Sequence, residues 1–570
     1  MKPYATIADG VFCRVSDGEE LTNFSITSSR LYYDAEDAKR SPRYAVFSIH
    51  CNTLVSKNEE VLIDFDTGGI LTQMKRAMPI LQIYGTADRA KLETHIQNEV
   101  LKHSVTTQCY PYFKRRGLYN IEKSWLYVAG GEVLGLPSDS DSYTKNADAK
   151  FAHNATLSPA EAVEQFVPLL LGDGSSNTDV LANTYVPIWA YRIIACFRTA
   201  IESSAETTFP VLMVYGEPDT HKTSAVRMLA LPYDRAGTRG QVFGEYNANA
   251  GGKHLIAAID GTRDEIVCVD DVTVNGVPAK ERLAREQTGS DVLHFAANTS
   301  QHPEYSSGKE EITERYFAGG LILTGEYPLR GTSSIERMIF VEVKEPLTTT
   351  SVEGRRLSAA VLRYFIIWML PKLTRYASDL HVRLANMRAG QHGRLRTTTE
   401  FLLWALEAFW DFAAETCGLT DETKEQIVRE SGQIIVDLMD GQADLVERLE
   451  QPQPKGDLFY YLRELYEKRE IRIVYDKKSW VPCNEALIEK ETVYISGKYL
   501  QSLLQAKPLS PYTDKQLGKR LHEMGVLAQE DNQKHTIKKH GWRVYAIKLT
   551  AFQKSARGRV LIPNGEGEAT

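Results

Sequence analysis

The sequence has little that would place the protein outside the cell or within a membrane. Its 570 residues include seven cysteines with no CxxC pair among them, so we expect reduced thiols and no zinc site. No apolar segment follows Met1, so we expect no signal peptide. The longest apolar stretch, 361–373, is too short to cross a bilayer and contains Arg363, which predicts a core helix. These absences predict a cytoplasmic protein with no membrane contact.

The chain also lacks the uniformly basic character of a nucleic-acid coat protein, because its net charge is −7. The charges are unevenly distributed. From Lys455 to the end there are 21 Lys and Arg against 14 Asp and Glu, a net charge of +7, whereas the preceding 454 residues have 46 against 60. An acidic body followed by a basic final domain predicts that this final domain contacts nucleic acid.

A phosphate-binding pattern is present at residues 211–231, VLMVYGEPDTHKTSAVRMLAL. An apolar, β-branched run leads through a turn into GEPDTHKTS and a helix-patterned stretch, which is the layout of a P-loop. Backbone N–H groups would face the phosphates, Lys222 would reach the terminal ones, and the Thr223 hydroxyl would coordinate Mg²⁺. The alternative is a strand, turn and helix with an incidental Lys-Thr pair. The candidate nucleotide-binding residues are Gly216, Glu217, Pro218, Asp219, Thr220, His221, Lys222, Thr223 and Ser224.

His221 departs from the usual pattern, because a glycine normally precedes the P-loop lysine. A residue with a side chain must adopt the backbone conformation that the loop demands, so we expect strain at this position.

A second motif follows about fifty residues later, where residues 265–271 read EIVCVDD. An apolar strand ending in paired acids is the Walker B arrangement. Asp270 would hold Mg²⁺, and Asp271 would stand where a glutamate usually polarises the attacking water. The alternative is a buried parallel strand with a solvated acidic end.

Residues 321–326, LILTGE, form another apolar run that ends in polar groups. In ATPases of the AAA+ class, sensor 1 is a polar side chain that lies in space between the two Walker motifs. Thr324 and Glu326 are the candidates, and Asn298 is a rival. Arg337 follows where ring-forming ATPases place an arginine finger, which stabilises transition-state charge in the neighbouring subunit's site. The alternative for Arg337 is a surface salt bridge.

The pattern beyond residue 455 comprises a helix, a second helix and a basic stretch with strand character, which is typical of a winged helix. Such folds place one helix in the major groove and the wing on the DNA backbone. The alternative is a winged helix that contacts protein. The candidate DNA contacts are Lys519, Arg520, Lys534, Lys538, Lys539 and Arg543.

Four segments together resemble the AAA+ helicases of mobile genetic elements. They read GEPDTHKTS, EIVCVDD, LILTGEYPLRGTSSIERMI and HGRLRTTTEFLLWAL. The Cch helicases of staphylococcal cassette chromosomes, which are related to the minichromosome-maintenance helicases, resemble the chain over residues 160–450. The resemblance implies that Arg337 acts in trans and that Arg396, or alternatively Arg394, is sensor 2. It also implies a β-hairpin before sensor 1 that carries Lys309 to DNA in a central pore.

The expected fold class is multidomain α/β, with a AAA+ P-loop ATPase core. The predicted domains are an N-terminal α+β domain (1–137), a linker (138–160), the ATPase core (161–350), a helical lid (351–450), a winged-helix DNA-binding domain (456–553) and a flexible tail (554–570).

The predicted function is an ATP-dependent DNA helicase or translocase that acts as a ring, a homo-hexamer, at the replication origin of a mobile genetic element. It would use ATP and Mg²⁺ on single-stranded or forked DNA. One alternative is a DNA-binding initiator or regulator that nucleotide only switches, which His221 and the Asp270-Asp271 pair keep open. A fused primase–helicase is disfavoured, because the first 135 residues show no clear triad of metal-binding acids and no zinc ligands.

Overall fold

The computed structural model contains two compact units, of which the first comprises Met1–Pro328 with Arg337–Asp440 and the second comprises Leu329–Glu336 with Gly441–Thr570. The structure describes residues 4–8, 10–52, 57–85, 87–104, 109–129, 131–137, 142–144, 149–152, 156–172, 178–202, 209–235, 242–274, 277–297, 302–305, 312–315, 317–329, 337–347, 350–387, 393–450, 458–467, 470–478, 480–505, 514–528 and 535–552. Lys309, Lys534, Asn298 and the predicted tail therefore lie outside the described residues.

The N-terminal part of the first unit combines strands with two helices. The elements are β1 (Ala5–Ala8), β2 (Val11–Arg14), β3 (Phe24–Asp34), β4 (Pro42–Cys51), β5 (Lys57–Asp64), α1 (Ile70–Ala77), α2 (Arg89–Ser104), β6 (Tyr110–Phe113), β7 (Gly117–Ile121), β8 (Ser124–Ala129), β9 (Glu132–Leu134), β10 (Tyr143–Thr144) and β11 (Ala149–Phe151). Five strands form a sheet in the order β10-β6-β3-β4-β5, and β7-β8-β9 form another. Apolar residues of α1 and α2 join β3, β4 and β5 in one core.

The segment predicted to be a linker, 138–160, contributes to two sheets. Its strand β10 pairs with β6, and β11 pairs with a later strand, β13. Backbone pairing needs no apolar side chains, so the polar, Ser- and Asp-rich composition of this segment gave no sign of it.

The middle of the first unit is a parallel α/β layer. The elements are α3 (Pro159–Leu171), α4 (Thr178–Cys196), α5 (Arg198–Glu202), β12 (Val211–Tyr215), α6 (Lys222–Ala230), β13 (Tyr233–Arg235), β14 (Glu245–Asn247), α7 (Gly252–Ile259), β15 (Arg263–Thr273), α8 (Ala279–Ala297), β16 (His302–Tyr305), β17 (Ile312–Arg315), β18 (Ala318–Gly325) and β19 (Met338–Glu342). Five strands form a sheet in the order β14-β15-β18-β12-β19, and every pair within it is parallel.

Strands β12 and β18 are near-continuous apolar runs because both faces of a parallel sheet are covered. All eight residues of β18 are buried. A Cβ on Gly320 would lie 2.6 Å from the Cβ of Ala195, so glycine at this position allows α4 to approach the strand closely. Between α8 and β18, strands β16 and β17 pair antiparallel, with His302 opposite Arg315 and Tyr305 opposite Ile312. The resemblance implies a β-hairpin in this part of the chain.

Four helices follow the sheet in the chain. They are α9 (Val352–Met369), α10 (Leu373–Asn386), α11 (Gly393–Cys417) and α12 (Asp421–Glu450). The run Val352–Asn386 is long and apolar enough to cross a membrane by length and composition alone, but 56% of its most apolar window is buried inside the protein. Phe365 packs against Phe409 and Phe412 of α11, as a core helix would.

The second unit has its own core. Its elements are α13 (Leu458–Glu467), β20 (Ile473–Val474), β21 (Ala486–Glu489), β22 (Thr492–Ser496), α14 (Gly497–Gln505), α15 (Asp514–Glu523), β23 (Ile537–Lys539) and β24 (Trp542–Lys548). The strands form one sheet in the order β20-β21-β22-β24-β23. Leucines of the three helices, such as Leu462, Leu500 and Leu517, share a core with Ile495 and Ile547 of the sheet.

A buried carboxylate that the sequence did not reveal joins the N-terminal part to the parallel sheet. Asp264, at the start of β15, is fully buried and accepts hydrogen bonds from the backbone N–H groups of Leu118 and Thr199 at 2.9 and 2.7 Å. The Thr199 hydroxyl donates to it at 2.8 Å, and Arg263 lies 3.4 Å away. Burial raises the pKa of Asp264 to about 6, while Arg263 and the donated hydrogen bonds act against this rise.

We expect Asp264→Ala to loosen this junction, because the buried N–H of Leu118 would lose its acceptor at a cost of about 1–3 kcal/mol, and the partly buried N–H of Thr199 would lose its acceptor as well. Native-state hydrogen exchange should show faster exchange at Leu118 and Thr199. Asp66→Ala, which removes a carboxylate that is 61% exposed, is the control and should leave that exchange unchanged. Equal protection in Asp264→Ala and wild type would show that the carboxylate does not hold the junction.

Candidate nucleotide-binding site

The candidate site lies at one edge of the parallel sheet, where the strands present their carboxyl ends. The loop after β12, the end of β15 and the end of β18 meet there, because β18 pairs with both neighbours in parallel. Ligands of open parallel sheets bind outside this edge. The three motifs recognised in the sequence are therefore brought together by the strand order.

The loop from Gly216 to His221 turns the chain from β12 into α6, which begins at Lys222. Gly216 lies against β19, where a Cβ would come within 2.2 Å of the carbonyl oxygen of Val343. Only glycine fits so close to a neighbouring backbone. The side chain of Thr220 is turned inward and donates to the carbonyl oxygen of Glu217 at 2.8 Å.

His221 adopts the left-handed conformation, with φ 62° and ψ 27°, immediately before α6. This is the strain that the sequence predicts for a residue in the usual glycine position, and Asp219 is also left-handed, with φ 63°. The imidazole is exposed, so its size is accommodated by solvent. Pro218 is exposed beside it, and Ser224 is partly buried in the first turn of α6. Strained residues that the surrounding structure holds in place cluster at functional sites.

Lys222 is folded back over its own loop. Its Nζ donates to the carbonyl oxygen of Glu217 at 2.6 Å and to Thr220 Oγ1 at 3.1 Å. Burial lowers the pKa of Lys222, and the carboxylates of Glu326 and Asp270 oppose this effect. A cation that is held within the loop by weak neutral acceptors can exchange them for phosphate oxygens.

Asp270 accepts two hydroxyl groups at the end of β15. Thr223 Oγ1 donates to Asp270 Oδ1 at 2.7 Å, and Thr324 Oγ1 of β18 donates a short hydrogen bond to the same oxygen. The two threonines are 101 positions apart in the chain, and each comes from a different motif. One carboxylate and one P-loop hydroxyl in direct contact are the pair of oxygen ligands that the sequence predicts for Mg²⁺.

Asp271 follows in a distorted part of the strand. Its φ is 60°, and the register between β15 and β18 shifts between Val269 and Thr273, which marks a bulge. Bulges redirect side chains next to active sites. The Asp271 N–H donates to Thr324 Oγ1 at 3.3 Å, so the hydroxyl of Thr324 touches both acids of the motif. Glu326 is close by, with its N–H bonded to the Thr273 carbonyl oxygen at 2.7 Å.

Two further residues contact Asp271 that sequence reasoning missed. Arg285 of α8 lies 3.8 Å from Asp271 Oδ2 and donates to the Asp271 carbonyl oxygen at 3.4 Å. Its other side is bound by Glu281 at 2.8 Å. Asn247, at the end of β14, hydrogen-bonds the Asp271 carboxylate. Burial and Asp270 raise the pKa of Asp271, while Arg285 and Asn247 act against this rise.

Of the two arginines with predicted roles, Arg337 lies away from the edge of the sheet that carries Lys222. Arg337 immediately precedes β19, and its carbonyl oxygen accepts from the N–H of Val211 at 2.9 Å, at the amino end of β12. It is therefore at the opposite end of this strand from Lys222. Arg396 is exposed in the first turn of α11, as is Arg394. Within the described residues Arg396 makes no hydrogen bond or ion pair.

The predicted DNA-contacting residues that the structure describes all lie in the second unit. Lys519 and Arg520 are on α15, where both face Glu523 at 3.8 and 3.4 Å. Lys538 and Arg543 are opposite each other in the β23–β24 hairpin, and both are exposed. Lys539, on the other face of that hairpin, pairs with Glu489 at 2.7 Å.

Relief of the left-handed strain gives a direct test of the loop geometry. We expect His221→Gly to raise the free energy of unfolding by up to about 1 kcal/mol, because a left-handed non-glycine residue costs about that much or more. His221→Ala keeps the strain and should bring no gain. Thermal unfolding of the three proteins in the same buffer makes the comparison, and an equal gain for alanine would show that the side chain, rather than the backbone, is responsible.

No protein-family model matches the chain, and no curated protein matches it in sequence. Among solved structures, the chain is similar to one titled "SCCmec type IV Cch - active helicase", with 11% sequence identity, 96% of this chain and 98% of that chain covered, and a TM-score of 0.49. A second similar structure is the JCV helicase bound to an acetamide ligand, with 13% identity, 49% and 74% of the two chains covered, and a TM-score of 0.20.

The first of these titles names a Cch helicase, the group that the motifs of this sequence resemble.

Proposed function

We propose that the protein is an ATP-dependent DNA helicase or translocase that works as a ring, a hexamer, in the cytoplasm at the origin of a mobile genetic element. The observation that carries the proposal is the contact of Thr223 and Thr324 with one oxygen of Asp270, beside Lys222. At the carboxyl end of a parallel strand, one carboxylate contacts both a P-loop hydroxyl and a sensor hydroxyl. This combination serves phosphoryl transfer to water, which depends on positioning and charge.

The residues present fit a magnesium–nucleotide complex. Within the described ranges no group of three or more His, Cys, Asp or Glu could hold a metal ion. Mg²⁺ is commonly held by one or two carboxylates together with substrate phosphates and water, so Asp270 and the Thr223 hydroxyl suffice. The ion would neutralise charge on the phosphates. The first turn of α6 would present its free N–H groups to them.

The residues around Asp271 would manage the attacking water. The carboxylate is the candidate acceptor of a proton from that water, and Thr324 holds its backbone in place. Arg285 and Asn247 fix the position of Asp271 from two other elements. Glu326 lies near the Lys222 ammonium and would compete with phosphate for its charge. These contacts would determine the rate of ATP hydrolysis rather than the affinity for nucleotide.

The sheet order supports a AAA+ core. Strand β18 separates the P-loop strand β12 from the Walker B strand β15, so Thr324 stands between the two motifs, as sensor 1 does in that class. The helices α9 to α12 then correspond to the lid. The hairpin β16–β17 would face DNA in the pore, with Lys309 in its connecting loop.

The second unit would bind DNA as a winged helix. Helix α15 would enter the major groove with Lys519 and Arg520, and the β23–β24 hairpin would be the wing. Such phosphate contacts are salt-sensitive and largely independent of sequence.

A second candidate function is a DNA-binding initiator that nucleotide only switches. Aspartate stands where a glutamate usually activates water, and Arg285 already occupies one side of its carboxylate. If Asp271 cannot reach a water, nucleotide would bind without turnover.

We expect Lys222→Ala to lower ATP hydrolysis and DNA unwinding by at least about a hundredfold, because a preorganised charge at the phosphates is lost. DNA binding should persist, since the proposed DNA contacts lie elsewhere. Lys91→Ala, which removes an ammonium that is 67% exposed on α2, is the control for lost charge. Unwinding by Lys222→Ala at the wild-type rate would exclude the motor, and nucleotide binding without any hydrolysis in wild type would favour the switch.

In the proposed ring, one subunit supplies Lys222 to a site and its neighbour supplies Arg337. Two variants that are each inactive should therefore complement each other. Arg337→Ala and Lys222→Ala should each abolish ATP hydrolysis alone. When they are mixed in equal amounts and reassembled, about a quarter of the head-to-tail interfaces would combine an intact P-loop with an intact arginine, so hydrolysis should reappear. Failure to recover any hydrolysis, together with a monomeric mass in the presence of ATP and DNA, would show that Arg337 does not act between subunits.

A further inference from the structure

The second unit has two exposed aromatic rings with basic residues close to them in the chain. Trp542 is 53% exposed and Tyr475 is 72% exposed, and both are among the most exposed large apolar side chains of the described chain. Trp542 lies outside the set of residues proposed above to contact DNA.

The hairpin that carries Trp542 is held rigidly. Its two turn residues, His540 and Gly541, have φ values of 47° and 84°, which is the left-handed pair of a two-residue hairpin turn. Trp542 is the first residue of β24 and lies directly opposite Lys539. Side chains alternate along a strand, so Lys539 and Trp542 share one face of the hairpin while Lys538 and Arg543 share the other. The indole and the Lys539 side chain therefore extend from the same face of the hairpin.

The segment that contains Tyr475 and Lys477 is connected to the same face of the hairpin through Glu489. The carboxylate of Glu489 accepts from Lys539 at 2.7 Å and lies 3.3 Å from Lys477 and 4.0 Å from His540. Trp480, which is almost fully buried, packs edge-on against His540, with the two ring centroids 6.2 Å apart. Lys477 and Trp480 follow Tyr475 in the chain, so this segment is held to the hairpin turn.

We propose that Tyr475, Lys477, Lys539, His540 and Trp542, here called the aromatic–basic face, form a stacking site for unpaired bases of a nucleic-acid single strand. The inference deepens the proposed function and rests on it. Every base has a flat aromatic face, so an exposed indole binds unpaired bases regardless of sequence, while the neighbouring lysines hold the phosphates. Paired bases are stacked on each other and offer no such face to Trp542.

The chemistry favours this ligand over an apolar protein partner. Lys477 and Lys478 are exposed beside Tyr475, and Lys538 and Arg543 are exposed beside Trp542, so basic groups surround both rings. Interfaces between proteins are depleted in lysine, whereas single-strand sites combine lysine or arginine with aromatic rings. During unwinding, such a site would keep a separated strand from pairing again.

The test compares binding of Trp542→Ala and wild type to a fluorescent oligo-dT single strand and to a blunt duplex. We expect Trp542→Ala to weaken single-strand binding about fivefold to a hundredfold, which is the range for loss of one stacked base. Duplex binding should stay close to wild type. Trp542→Phe, which keeps a ring, should restore most of the single-strand affinity. Val382→Ala, which removes a side chain that is 54% exposed on α10, is the matched control.

Photocrosslinking supplies a second measurement that does not depend on the variant. Oligonucleotides with 5-iododeoxyuridine should crosslink wild-type protein at the peptide that contains Trp542. The inference is overturned if Trp542→Ala binds the single strand as tightly as wild type, if it loses single-strand and duplex affinity equally, or if no crosslink maps to this peptide. Wild-type protein that binds neither DNA form would instead refute the proposed function, so the two failures are distinguishable.

Discussion

The candidate site depends on one carboxylate oxygen that two hydroxyl groups share. Asp270 accepts from Thr223 and from Thr324, and this contact exists only because β18 lies between β12 and β15. Two hydroxyl donors from different elements restrict the position of this oxygen, since both hydrogen bonds would have to break for it to move. Helix α6 and the strands β15 and β18 are therefore joined by a polar contact at the edge of an apolar sheet.

Backbone strain is concentrated around that contact. His221 and Asp271 both have φ near 60°, one before the P-loop helix and one in the bulge of β15. Each costs free energy that the buried sheet offsets, and each places a polar group toward the edge where a phosphate would sit. Strand β18 is fully buried on both faces, which provides the rigid support that such strained positions require.

The second unit uses a different principle. Its basic groups are spread over both faces of a hairpin whose turn is fixed by His540 and Gly541. A single acid, Glu489, holds Lys539 and Lys477 close together, which keeps positive charge concentrated without a buried ion. The resulting surface is rigid and exposed, and it joins basic groups to aromatic rings.

Much of the architecture follows from local pattern. The strand of residues 211–215, the helix that begins at Lys222 and the strand that carries Asp270 are all visible as apolar runs and turn residues. The strain at His221 follows from the absence of a glycine. The pairing of β11 with β13 left no such trace, because backbone hydrogen bonds do not require particular side chains.

The sequence by itself determined which residues have the chemistry for phosphate and metal, because the P-loop spacing and the paired acids are short-range patterns. Tertiary structure alone decided which distant residues meet them. Arg285 and Asn247 reach Asp271 only through the order of strands and the packing of α8, and Asp264 meets Leu118 across 146 positions of the chain. Periodicity reports how one segment faces the core, whereas contacts between segments depend on how several elements pack together.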